Sequence, residues 1–201
     1  MKSLPTLAVI ALTSGLWGCN STPAGPYGYT QTYLDERGRC ANSHPPDAGQ
    51  VERFIRFYDQ LRSGQVTDQI ADIYAQDVYF NDTLVTLRDR ETLAEHLQKT
   101  AEGLDTMTVT LLDVLAPADM NPQVDTAQPD ATYLLWEMRA QFSLLGRDRL
   151  SYTLGISQLC FNQQGQVVFH QDFWDSSQGL DQHLPILGAP TRWLRKHPDA
   201  P

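Results

Sequence analysis

The sequence is short of the compact signatures that announce common enzyme classes. It contains no Cys-x-x-Cys, no His-Glu-x-x-His and no Gly-x-Ser-x-Gly, which removes the standard zinc and serine-hydrolase motifs. No glycine-rich phosphate loop or dinucleotide fingerprint is present, so no nucleotide cofactor is expected, and no clustered ligand spacing implies a metal. Basic residues are few: 15 Lys and Arg stand against 24 Asp and Glu, for a net charge of −9. An acidic chain without a Lys/Arg cluster repels a phosphate backbone, and nucleic acid is therefore excluded as an expected partner. Beyond the amino terminus no apolar run approaches the roughly 20 residues needed to span a bilayer. Cysteine is scarce, with three in 201 residues.

What is present describes one globular domain. The length suits a single core, and 41% hydrophobic with 19% charged residues is ordinary for a folded soluble unit.

The amino terminus reads as an address. Lys2 precedes the apolar stretch Leu4 to Leu12, and Thr13 to Gly18 lead to Cys19, the charged, apolar and small-residue regions of an export signal over residues 1–18. Leu16-Trp17-Gly18-Cys19 resembles the bacterial lipobox, with Trp17 at a position where a small residue is usual. That resemblance implies lipidation of Cys19, palmitate included, and Asn20 after it resembles the sorting pattern of outer-membrane lipoproteins facing the periplasm. Acyl chains contribute about 0.8 kcal/mol per buried CH₂, so several hold a domain on a membrane without a spanning helix. After cleavage two cysteines remain, Cys40 and Cys160. In an oxidising compartment they read either as a disulfide joining the amino-terminal arm to a late strand or as two free thiols, one of them buried.

Residues 19–49 hold Pro23, Gly25, Pro26, Gly28, Gly38, Pro45, Pro46 and Gly49, a tether and loop rather than a folded unit. The domain is expected from Gln50. Val51, Phe54, Ile55, Tyr58 and Leu61 fall at helical spacing before Ser63-Gly64; Ile70, Ile73 and Tyr74 give a second, short helix a stripe; Asp89 can cap a third containing Leu93 and Leu97. A short strand, Val78-Tyr79-Phe80, lies between the second and third. Past Gly103 the period changes to two: Met107 to Ala116, Ala131 to Leu145, Leu150 to Phe161 and Gln166 to Trp174 alternate as strands, with turns at Gly146-Arg147-Asp148 and Asn162 to Gly165. Leu134, Trp136, Met138, Ala140, Phe142 and Leu144 share one face, a row that serves as core, as ligand wall or as both. Helices first and strands afterwards predict an α+β domain with three helices packed on one face of a curved antiparallel sheet. Leu184, Ile186, Leu187, Trp193 and Leu194 predict short helices over residues 189–201 and just before them. The small basic end Arg192, Arg195, Lys196 and His197 reads as a solvated helix terminus that could also touch anionic lipid.

That element order resembles the NTF2-like cone fold. Tyr74-Ala75-Gln76-Asp77-Val78-Tyr79-Phe80-Asn81-Asp82 is similar to the strand entry of that fold, and Gly155 to Phe161 followed by Gly165 to Asp175 is similar to the ending of SnoaL-like proteins, a branch named for a polyketide cyclase. The resemblance covers about residues 50–188. It implies a fold that hosts isomerases, cyclases, dehydratases and plain binding modules, so function must come from the site.

His170, Asp172 and Trp174 alternate onto one side of the last strand, with Phe169, Gln171 and Phe173 on the other. By resemblance to ketosteroid isomerase, an NTF2-like enzyme, the first trio lines the conical pocket. A carboxyl in an apolar cavity has its pKa pushed towards neutrality, as a proton-transferring group requires. Asp172 is thereby the candidate acid or base, His170 its orienting or shuttling partner and Trp174 an apolar wall; a His-Asp pair that merely stabilises the sheet is the competing reading. Asp82 stands where the same resemblance places a general base, and it also suits an Asx-turn ending its strand. Phe57, beside Tyr58, falls on the tyrosine position and Ser157 on that of the protonated aspartate, so that enzyme's oxyanion hole is not reproduced. Phe80 and Trp136 complete the expected lining. The five histidines, at positions 44, 96, 170, 183 and 197, are scattered, and His96 and His197 read as solvated helix residues.

Three functional classes follow. The first is a lipid-anchored domain binding a small, mostly apolar or lipid-like ligand in a cone. The second is a cofactor-free isomerase, cyclase or dehydratase working through Asp172 and His170. The third is an envelope assembly module that pairs the sheet's outer face in a homodimer.

Overall fold

A computed structural model of the chain describes residues 30–116 and 131–197. The export signal, Cys19 and Asn20 lie outside the described residues. Among the described residues no helix is long and apolar enough to cross a membrane.

Helix α1 (Thr30–Glu36) and a 3₁₀ segment (Arg37–Asn42) precede α2 (Ala48–Asp59), α3 (Val66–Ile73) and α4 (Arg90–Glu102). Strands β1 (Tyr74–Asn81), β2 (Thr86–Leu87), β3 (Thr106–Leu115), β4 (Thr132–Leu144), β5 (Arg147–Phe161) and β6 (Val167–Trp174) form one sheet in the order β2-β1-β6-β5-β4-β3. Short helices α5 (Ser176–Gly179) and α6 (Gly188–Lys196), with a 3₁₀ turn (Asp181–His183) between them, close the chain.

Local chemistry sets the helix starts. Asp47 caps α2 in a reciprocal capping box with Gln50, and the Asp89 carboxylate accepts from the Thr92 amide at the start of α4, each satisfying amides that the first turn leaves free. Gly64, in the left-handed region at φ 78°, follows the 3₁₀ turn that ends the α2 segment, where glycine is favoured.

Four findings modify the sequence reading. The sheet is mixed, because β1 runs parallel to β6 while every other pair is antiparallel; a helix-bearing crossover joins such strands, whereas hairpins join the rest. Tyr74 opens β1 and does not end α3, and the β1–β6 register shifts between Tyr74 and Tyr79. The β4–β5 hairpin turns at Leu145-Gly146, both at positive φ (52° and 71°), one residue earlier than expected; two such residues define the tight turn whose twist matches paired strands. Residues 30–47, expected as tether, are folded. Tyr33 of α1 packs its ring edge-on to Phe169 and Phe173, and its hydroxyl donates to Gln158 Oε1 at 3.1 Å.

The sheet consequently carries two cores. On its concave side Val51, Phe54, Phe57, Ile70, Leu93, Leu97, Leu134 and Leu159 bury the helices against the strands. On its convex side a smaller cluster of Cys40, Tyr79, Ala131, Cys160 and Phe169 sits under the amino-terminal arm. Cys40 and Cys160 are joined by a disulfide, both fully buried, with Cα atoms 5.4 Å apart. Arg39 ties the same arm to the rest through the Asp77 carbonyl (2.7 Å), and Glu36, bonded within the arm by Arg39 (2.6 Å), meets Arg88 at 2.8 Å.

The cross-link spans 120 residues, and closing so long a loop removes much conformational freedom from the unfolded chain. The Cys40→Ala/Cys160→Ala double variant is expected to unfold in urea with about 2–5 kcal/mol less stability than the oxidised protein. An unchanged urea midpoint would show that the arm needs no covalent tie.

Candidate functional site

The concave face of the sheet does not close fully on the helices. Between them lies a mostly apolar cavity of about 360 Å³, with walls from α2 (Phe54, Ile55, Tyr58), α4 (His96, Leu97), β3 (Met107, Val109), β4 (Trp136, Met138, Ala140, Phe142), β5 (Ser151, Ser157) and β6 (His170, Asp172, Trp174). Phe80 at the end of β1, Asp82 just after it and Leu180 after α5 also line it, as do Leu84, Lys99 and Leu104.

The alternation of β6 turns His170, Asp172 and Trp174 into this space together, while Phe169 faces the convex cluster. His170, 1% exposed, is held at both ring nitrogens. Its Nδ1 lies 2.7 Å from the Tyr74 hydroxyl and its Nε2 lies 2.7 Å from Asp172 Oδ1. Tyr74 in turn meets the Tyr58 hydroxyl at 2.5 Å. Asp172 Oδ1 also accepts from the Ser157 hydroxyl at 2.5 Å, and Ser157 Oγ accepts from Trp136 Nε1 at 2.9 Å.

The directions of these bonds follow from the donor inventory. An indole N–H can only donate, so the Ser157 oxygen receives it and sends its own proton to Asp172. With Asp172 as a carboxylate, His170 Nε2 donates to it; in the tautomer that carries its proton on Nε2, Nδ1 accepts from Tyr74, and Tyr74 accepts from Tyr58. Burial, followed by the Asp172 charge, pushes Tyr58 well above the usual phenol range; burial and the neighbouring Tyr58 do the same to Tyr74. Both therefore remain proton donors. Asp172 Oδ2 accepts no hydrogen bond among the described residues and is the group left to address a guest in the cavity.

Asp82 forms a second carboxylate–imidazole pair on the cavity wall. Its Oδ1 accepts from the amides of Leu84 and Val85, each at 2.9 Å, and its Oδ2 lies 2.9 Å from His96 Nε2. The Asx-turn and the site position are thus one arrangement, in which the turn aims the carboxylate at α4. Trp174 Nε1 donates to the Asp82 carbonyl at 2.7 Å, tying this turn to β6. Burial alone raises the Asp82 pKa, but the bonds from His96, Val85 and Leu84 outweigh it and hold the carboxyl below its ordinary value. His96 is accordingly not a solvated helix residue. Its signal in the sequence was its helical position, three after Leu93 on the face that meets the sheet.

Phe57 is not part of the site. It is 3% exposed and packs edge-on against Tyr58 and Tyr74 in the core, because one helical step turns it about 100° away from Tyr58. Tyr58, Phe80, Trp136, Ser157 and Trp174 all line the cavity. Tyr74 went unrecognised because its local pattern continued a helix. The backbone also makes room for the network: a Cβ on Gly155 would come within 2.3 Å of the Trp136 ring, so a glycine in mid-strand lets the indole lie flat and reach Ser157.

An aspartate whose folded pKa is depressed contributes stability that is complete above its unfolded pKa, about 4, and is lost as pH falls through the folded value. The stability gap between wild type and Asp82→Asn is therefore expected to be widest above about pH 4 and to narrow below it. Urea midpoints measured from pH 6 to pH 2.5 check this, and parallel acid slopes in the two proteins would count against it.

No protein-family model matches the chain, and no curated protein matches it. Solved structures do. An NTF2-like protein of unknown function from Exiguobacterium sp. 255-15 superposes with a TM-score of 0.50 at 11% identity, covering 63% of this chain and 98% of that one. A protein from Shewanella denitrificans OS-217, provisionally described as a SnoaL-like polyketide cyclase, gives 0.52 at 11% identity over 66% and 94%. The epoxide hydrolase/cyclase-like enzyme SalBIII, associated with pyran ring formation in the polyether salinomycin, gives 0.51 at 10% identity over 65% and 93%. Sequence identity this low establishes architecture alone. The helices and the six-strand mixed sheet are those of the NTF2-like α+β cone fold.

Proposed function

We propose that this protein is a lipid-anchored, periplasm-facing domain that binds a small, mostly apolar molecule in its cone. The observation that carries the reading is the cavity itself: about 360 Å³, apolar over most of its wall, with a few placed polar groups converging on it. Ligand sites have that composition, and this volume lies at the lower end of their range of roughly 300–1,000 Å³. The relatives provisionally described as polyketide cyclases support a small organic guest. The lipobox-like run at Cys19 supports an anchor in the outer membrane, and the buried disulfide supports an oxidising compartment.

A second reading is favoured by one feature. Tyr58, Tyr74, His170 and Asp172 form an unbroken chain of hydrogen bonds that ends at a carboxylate whose second oxygen has no hydrogen-bond partner among the described residues. A carboxylate so placed can take a proton from a bound molecule while the imidazole and the phenols behind it redistribute the charge. The reaction class is cofactor-free proton transfer, as in an isomerase, cyclase or dehydratase, with Asp172 as base and His170 as its positioning partner. Asp82 with His96 is a second acid-base pair on the same cavity.

The neutral fluorophore N-phenyl-1-naphthylamine is expected to bind at one saturable site. Ala140→Phe, which fills the cavity from β4, is expected to weaken that binding by more than about tenfold while the thermal midpoint stays within a few degrees. Non-saturable uptake, or uptake indifferent to Ala140→Phe, would remove the binding reading. Asp172→Asn is expected to keep the fluorophore and, under the second reading, to abolish conversion of whatever molecule mass spectrometry finds co-purifying with the native protein.

The anchor has its own check. In a Gram-negative host supplied with labelled palmitate, the wild-type chain is expected in the outer-membrane fraction carrying label, and Cys19→Ala is expected to lose both. Label retained by Cys19→Ala would refute the anchor.

A further inference from the structure

Three buried side-chain polar atoms among the described residues have no hydrogen-bond partner: Arg149 Nε, Thr153 Oγ1 and His183 Nε2. They are spread over 34 positions of sequence, two on β5 and one in the 3₁₀ turn that follows α5. Arg149 and Thr153 lie on the inward-facing side of β5, the side that also presents Ser151 and Ser157 to the cavity. Phe142, which lines the cavity, is the cross-strand partner of Arg149, and its ring meets the His183 ring edge-on at 5.7 Å. Gly179 brings α5 so close that a Cβ there would stand 2.5 Å from Thr153 Cγ2. Arg192 reaches the same corner from α6, donating to the Gln182 carbonyl.

Arg149 carries the argument. It makes no ion pair and no hydrogen bond among the described residues, in a chain with nine more acidic than basic side chains. Asp148, its neighbour, points to the other face and bonds Ser143. A guanidinium cannot shed its proton, so it stays charged, and leaving part of it desolvated and unpaired is costly. The sheet holds a cation where the described residues supply no anion. Burial, Arg149 and Arg192 together hold His183 below its ordinary pKa, which places the imidazole in the field of both guanidiniums as a neutral ring able to donate one N–H.

We infer that Arg149, His183 and Arg192 form a receptor for an anionic oxygen headgroup, a carboxylate or phosphate monoester, on a molecule whose apolar tail occupies the cavity behind Phe142. The inference rests on the proposed ligand-binding role of that cavity and adds the charge and polarity of the ligand: an anionic amphiphile, with its head at the corner under α6 and its tail pointing towards Asp172. Arginine suits the task because its planar fork presents paired donors to two oxygens at once.

The test is calorimetric titration of the full chain with sodium octanoate, octan-1-ol and sodium acetate. Octanoate is expected to bind about tenfold more tightly than octanol, and acetate to show no saturation over the same range. Arg149→Gln is expected to bring octanoate down to the octanol level while octanol is unchanged, which also serves as the check on folding; Arg149→Lys is expected to keep part of the preference. Equal affinity for octanoate and octanol in the wild type, or a preference untouched by Arg149→Gln, overturns the headgroup site and leaves the cavity reading standing. Acetate binding as tightly as octanoate overturns the link between head and tail. Binding of neither octanoate nor octanol overturns both this site and the cavity reading.

Discussion

Placing an imidazole and a carboxylate in an apolar cone costs several kcal/mol unless each donor finds an acceptor, and much of the architecture around β6 follows from that requirement. His170 is satisfied on both sides only because α2, β1 and β6 deliver Tyr58, Tyr74 and Asp172 to one line. Ser157 and Trp136 extend it across two more strands. Each of these residues is small or large for a reason set by the line: Gly155 is empty so that Trp136 can reach, and Phe54 and Phe80 pack edge-on to the His170 ring to exclude water from its bonds. Networks of this kind rigidify their surroundings when fully satisfied, and among the described residues this one leaves Asp172 Oδ2 uncommitted.

The second carboxylate solves the same problem differently. Asp82 draws its donors from its own turn and from His96, so its charge is held by local backbone amides and one helix. The two acids therefore share a cavity yet sit in distinct electrostatic settings, one fixed by a turn, the other by a side-chain relay.

Much of this was legible in the sequence where period and local chemistry decide the outcome. Strict alternation placed the inward rows of β4 and β6, and Asp89 sits where a helix start needs it. What escaped were residues whose role depends on partners far along the chain. Tyr74 looked like the end of a helix stripe because its partner lies 96 residues away. Residues 30–42 carry few aliphatics, so nothing in their own composition announces that Tyr33 and Cys40 will cover the convex face. Phe57 and Tyr58 are adjacent in sequence, and only the rotation of α2 decides which one meets the cavity. The parallel pairing of β1 with β6 likewise has no local signature, since it is fixed by the crossover through the helix and hairpins between them.

The covalent tie from Cys40 to Cys160 sets a mechanical load path. Tension arriving along the chain from residues before Thr30 enters the domain at the arm, but the bond hands it to the far end of β5, flanked by β4 and β6. There it acts on a fifteen-residue strand whose end nearest Cys160 is paired with β6 and, from Gly155 to Leu159, with β4 as well, where many ladder bonds must yield together. Helix α1 lies in series with that force, whereas α2 and the elements that follow Cys40 are spared it, and peeling the arm would not by itself open the cone.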